Sequence, residues 1–94
     1  MLDIKIDLAA RRKPLPDPDT LQFGKVFTDH MFLMDYHVGQ GWHDARIVPY
    51  GPLSMEPSCM VLHYAQEIFE GMKAYRTPEG KVQLFRPIEN ARRL

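Results

Sequence analysis

Two tight-turn sequences, each set between short apolar runs, limit this chain to hairpins and brief helices. Gly39-Gln40-Gly41 separates residues 30–38 (HMFLMDYHV) from residues 42–48 (WHDARIV). Glycine reaches positive φ without strain, so the two runs read as the strands of a β-hairpin, stopped by Pro49-Tyr50-Gly51-Pro52. Both faces of the first run are partly apolar. His30, Phe32, Met34, Tyr36 and Val38 share one, and Met31, Leu33, Asp35 and His37 share the other. That pattern suits a strand covered on one side and half covered on the other. Thr77-Pro78-Glu79-Gly80 puts proline early and glycine late in a four-residue loop. It lies between residues 69–76 (FEGMKAYR) and 81–86 (KVQLFR) and predicts a second hairpin.

The remaining segments are shorter in reach. Leu2, Ile4, Ile6 and Leu8 recur at period two and predict a strand. Residues 11–20 (RRKPLPDPDT) hold three alternating prolines, which fix φ and remove amide donors, so an extended linker is expected. A boundary near Asp19 divides the chain into residues 1–18, strand and proline-rich linker, and residues 19–94, the domain proper. Residues 57–64 (PSCMVLHY) predict one or two helical turns, with Pro57 suited to the first helical position. Pro87 opens a second helix, with Glu89 in its first turn. That helix reaches the last residue without a cap, which reads as a domain cut short. The fold class expected is α/β of the α+β kind, β-hairpins packed with short helices.

Composition narrows the function. Ninety-four residues, 45% hydrophobic and 26% charged, suit one globular domain. Twelve Lys plus Arg balance twelve Asp plus Glu, so no positive field exists to hold a nucleic acid. A single cysteine cannot build a disulfide framework, and a reducing, cytoplasmic setting is expected. No run of about 18 apolar residues occurs, and the start lacks the apolar stretch of a signal peptide, so no membrane partner is expected.

Several residue types invite chemistry. His30, Asp35, His37, His43 and Asp44 fall close together, but alternate strand positions face apart and no CxxC or HExxH spacing appears. They read as surface or hairpin residues, and no metal site is expected. Cys59 lacks the context of a nucleophile and reads as a small hydrophobe. Arg92 and Arg93 are about 100° apart on a helix, so only one can address a given ligand. A planar guanidinium suits a phosphate dianion through paired hydrogen bonds, although such a pair is more often a solvated face. Gly71 inside a strand pattern marks a bulge or a place where a ligand approaches the backbone. Lys73 has no sign of desolvation and reads as a solvated strand lysine.

Three blocks in register carry a resemblance. Residues 23–31 (FGKVFTDHM), residues 61–76 (VLHYAQEIFEGMKAYR) and residues 82–87 (VQLFRP) followed by 90–94 (NARRL) resemble branched-chain amino acid aminotransferases, from about Leu21 to Leu94. The wider group is the fold-type IV pyridoxal-phosphate enzymes. The resemblance implies the N-terminal part of the small domain of such an enzyme. It implies pyridoxal 5'-phosphate as cofactor, with transfer of an amino group between leucine, isoleucine or valine and 2-oxoglutarate. Carried over by motif, Arg93 would hold the cofactor phosphate, and Tyr64 and Phe69 would line the substrate side-chain pocket. Aromatic walls suit aliphatic groups, at roughly 0.8 kcal/mol per buried methylene. The family acts as homodimers, so Tyr64 would serve across the interface. The family's Schiff-base lysine would lie beyond residue 94. Lys73 does not match it, and the 94 residues hold no catalytic residue and should not transaminate by themselves. The alternatives are a stand-alone binding module on the same scaffold and a D-amino acid aminotransferase or aminodeoxychorismate lyase relative.

Overall fold

The structure, a computed structural model, describes residues 2–94. It contains two compact units, Met1–Leu53 and Ser54–Leu94.

The first unit is built on the predicted hairpin. Strand β2 (His30–His37) and strand β3 (Gly41–Pro49) pair antiparallel, from His30 opposite Pro49 to His37 opposite Gly41. Gly39 and Gly41 take φ of 89° and 77° at the turn, where a side chain would be strained. Tyr36 faces Trp42 across the ladder, with ring centroids 5.1 Å apart in an edge-on arrangement that favours aromatic pairs. The register shifts between Leu33 and Asp35, which face Arg46 and His43. One extra residue of β3 bulges there. Asp44 carries the left-handed φ of 53°, which aspartate accepts more readily than most side chains. Lys5 Nζ, at 3.1 Å, and Arg46 Nη1, at 3.1 Å, both donate to the Asp44 carboxylate. The Lys5 hydrogen bond and charge hold that carboxyl below the usual aspartate range.

The expected strand over Leu2–Leu8 shrinks to β1 (Lys5–Ile6), parallel to β3 at the sheet edge, giving the order β1-β3-β2. A period-two pattern needs a ladder to become a strand, and only these residues meet one. The proline-rich stretch is not wholly extended. Pro18–Thr20 forms a 3₁₀ turn, capped by the Asp17 carboxylate accepting from the Asp19 amide at 3.0 Å. Further contacts tie residues 9–13 to the entry of β2. Ala9 N donates to His30 Nε2 at 2.9 Å, and Lys13 N donates to the Asp29 carboxylate at 3.3 Å.

In the second unit the first helix is shorter than expected. Helix α1 is Met60–Tyr64, and Pro57 belongs to the turn before it, where Cys59 N donates to Glu56 O at 2.9 Å. Cys59 offers no capping bond, and Ala65 ends the helix in the left-handed region at φ 47°. The second hairpin is present but brief. Strands β4 (Ala74–Arg76) and β5 (Val82–Leu84) pair antiparallel around the predicted loop. Gly71 lies outside the strand, because its carbonyl accepts from the Asn90 side chain at 2.7 Å instead of entering a ladder. Helix α2 is Pro87–Arg93, entered through Arg86 at φ 45°. The α+β class holds, as two small sheets and two short helices.

Among the described residues Ala45, at the bulge, is the one buried apolar side chain. Large apolar groups elsewhere stay in contact with water, Phe23, Phe69 and Phe85 among them.

Candidate functional site

Helix α2, strand β4, the segment before it and the Phe85–Arg86 connection line a cleft of about 490 Å³ in the second unit. Gly71, Lys73, Tyr75, Arg86, Asn90 and Arg93 contribute to its walls. Lys73, Arg86 and Arg93 are cations, and Glu89, paired with Arg86 at 3.4 Å, is an anion in the same lining, so the cleft keeps a net positive charge that suits an anion.

Arg93 sits in the last turn of α2, three positions after Asn90, so the two share one helix face. Both reach Glu70. Arg93 Nε donates to Glu70 Oε2 at 3.1 Å, and Arg93 Nη2 donates to Glu70 Oε1. Asn90 Nδ2 donates to Glu70 Oε1 at 2.7 Å and to the Gly71 carbonyl at 2.7 Å. The Arg93 hydrogen bonds hold the Glu70 carboxyl below the usual glutamate range. Desolvation opposes this, and Asn90 adds to it. The same pair raises the Arg93 value above its ordinary one. Arg92 points elsewhere, as the 100° step requires, and donates to Glu89 at 2.9 Å.

A guanidinium carries five N–H donors. Glu70 engages the Nε edge, and the Nη1 donors make no hydrogen bond among the described residues. An end-on pair of donors therefore stays free for a second anion, and a phosphate group fits this chemistry.

The other two expected site residues lie elsewhere. Tyr64 ends α1 and is 76% exposed, and Phe69, in the segment before β4, is 87% exposed. Neither lines the cleft. Lys73 does, with Nζ 5.4 Å from the centre of the Tyr75 ring, a cation–π contact. Sequence reasoning missed Glu70 and Asn90. The signal for Asn90 was present, since its spacing from Arg93 is that of helix neighbours. The signal for Glu70 was only its place before Gly71.

In the first unit the His37 and His43 imidazoles share a hydrogen bond of 2.6 Å. No group of three or more metal-ligating side chains gathers among the described residues. No helix there is long and apolar enough to cross a membrane.

No family model matches the chain. Curated relatives do. The chain is 56% identical over 91 residues to branched-chain-amino-acid aminotransferase 2 of Bacillus subtilis (strain 168), covering 97% of this chain and 25% of that protein. It is 58% identical over 82 residues to branched-chain-amino-acid transaminase 1 of the same organism, covering 87% and 23%. It is 54% identical over 86 residues to the branched-chain-amino-acid aminotransferase of Mycolicibacterium smegmatis (strain ATCC 700084 / mc(2)155), covering 92% and 23%. The chain spans about a quarter of the length of these relatives, and within that span it belongs to the branched-chain-amino-acid aminotransferase family.

Proposed function

We propose that the protein carrying this sequence is a pyridoxal 5'-phosphate-dependent transaminase exchanging amino groups between leucine, isoleucine or valine and 2-oxoglutarate. The observation that carries this is the identity with aminotransferases of that name across 97% of the chain. Residues 19–94 form part of a fold-type IV small domain, and residues 1–18 lead into it as strand and linker. The active form is a cytoplasmic homodimer that engages neither membrane nor nucleic acid.

Bound pyridoxal phosphate supplies the electron sink for amino transfer. This chain's residues bind and orient. Arg93 holds the phosphate through its free donors, and Lys73 adds positive charge to the same cleft. Tyr64 and Phe69 supply aromatic surface to the aliphatic substrate side chain, completed by parts of the protein outside these residues. The covalent anchor lies beyond residue 94, and Lys73 is not it.

The test is transamination by the full-length protein, with leucine as donor and 2-oxoglutarate as acceptor. The expected result is glutamate formation that is lost when pyridoxal phosphate is stripped and returns when it is added back. Activity that ignores the cofactor, or turnover of D-amino acids in place of leucine, isoleucine and valine, overturns the reading.

A further inference from the structure

We propose that Glu70 is a positioning residue for the phosphate: its carboxylate, steadied by Asn90, holds the Arg93 guanidinium by one edge and leaves the end-on fork to receive the ligand. This rests on the reading of Arg93 as phosphate anchor.

The geometry divides the guanidinium in two. Both bonds to Glu70 use the edge formed by Nε and Nη2. The Nη1 end is open, and the Arg93 side chain as a whole is 62% exposed, against 18% for Glu70. The carboxylate is thus the sheltered partner and the guanidinium the accessible one. An unrestrained arginine samples many rotamers, and a phosphate that binds it must end that freedom. Glu70 ends much of it beforehand, which is how preorganisation strengthens binding.

Asn90 fixes the carboxylate in turn. Its one amide nitrogen donates to both Glu70 and the Gly71 carbonyl. Helix α2 and the segment before β4 are thereby joined through the residue pair that aims Arg93. Glu70 also offsets part of the Arg93 charge. Arg86 is itself paired with Glu89 at 3.4 Å, so Lys73 is the cation that leaves the cleft lining positive, and orientation is what Glu70 adds.

The experiment compares pyridoxal 5'-phosphate with pyridoxal, which lacks the phosphate, by fluorescence titration of the full-length protein freed of cofactor. Glu70→Gln keeps one acceptor but turns an amide NH₂ toward the guanidinium. The Kd for pyridoxal phosphate should rise about tenfold, a typical consequence of losing a hydrogen bond to a charged group. The Kd for pyridoxal should stay within about twofold of wild type on the same principle, because no phosphate is present to lose. Asn90→Ala, which leaves the ion pair in place, should move the phosphate-bearing ligand in the same direction by less. A merely structural Glu70 would weaken both ligands equally, and that result overturns the proposal, as does unchanged binding in both variants. Arg93→Ala separates the two levels. If it abolishes the preference for the phosphate-bearing ligand while Glu70→Gln leaves that preference as large as in wild type, the Glu70 proposal fails and the anchor stands. If Arg93→Ala keeps the preference, the anchor itself is wrong.

Discussion

Arg92 and Arg93 are adjacent in sequence and used differently, one on a neighbouring carboxylate of its own helix and one across to Glu70. The Glu70 carboxyl is held below its ordinary range chiefly by the Arg93 hydrogen bonds. A depressed carboxylate adds stability that is fully present above the ordinary glutamate range, about 4.3, and lost as pH falls through the lowered value. The ion pair is therefore whole at neutral pH and fails only in acid. Carbon-13 titration of the Glu70 carboxyl in the full-length protein should give a midpoint below that of free glutamate. In Arg93→Ala the midpoint should climb back, and a midpoint that does not move would show that Arg93 is not the cause. Phe69 allows a second prediction. It is exposed within these residues and is proposed to meet an aliphatic substrate. Phe69→Ala should raise KM for leucine about tenfold, from the loss of roughly two methylenes' worth of burial, and raise KM for glutamate much less. Equal effects on both substrates would assign Phe69 a structural role. Arg93 was singled out as the proposed phosphate anchor through the family resemblance of the NARRL text. Its carboxylate partner was not, because a contact over 23 positions has no local pattern.

Among the elements, the hairpins could be read because their turns are local chemistry. Thr77-Pro78-Glu79-Gly80 needs a left-handed last residue, and Gly80 has φ 82°. A Cβ added there meets no atom within 4 Å, so the effect of substitution is purely conformational. Thr77 N donates to Lys81 O at 2.8 Å and closes the loop. Gly80→Ala should weaken this closure by about 1 kcal/mol, the strain of a left-handed side chain. Amide exchange at Thr77 should then accelerate about fivefold. Unchanged exchange would mean that the loop does not depend on the glycine. Element ends were less legible. Leu2–Leu8 has the period of a strand, yet two residues pair, since the length of a ladder depends on the partner strand. Helix α1 begins three residues after Pro57 because the turn at Cys59 takes the proline first. The bulge at Asp44 had only a weak signal: aspartate is depleted in strands and tolerates positive φ, but neither preference places a bulge at one residue. Its positive φ is supported by Lys5 and Arg46, which only the folded register brings alongside.

At the scale of the molecule, the surface area sets the terms. The chain exposes 9188 Å². A folded monomer of 10.9 kDa exposes about 5,600 Å², and the unfolded chain about 15,800 Å². These residues thus bury about 40% of their unfolded surface, where even a 60-residue domain buries about 60%. The shortfall is in apolar groups. Phe23, Leu15 and Val38 are almost fully exposed, and among the described residues one small alanine is the buried apolar side chain. Composition gave no warning, because 45% hydrophobic residues suit a self-sufficient domain. What composition cannot convey is whether apolar residues face one another, and here most face outward. Relatives about four times as long possess further chain that can cover such faces. The hydrophobic effect scales with the area removed from water, so these 94 residues alone have too little driving force for a cooperative fold. Produced as residues 1–94, the polypeptide should bind the dye ANS strongly and melt without a sharp calorimetric transition. The full-length protein should bind little dye and melt cooperatively. A sharp two-state transition in residues 1–94, with no dye binding, would show that the exposed aromatics find partners within the chain itself, and it would favour a self-standing module over a part of a larger enzyme.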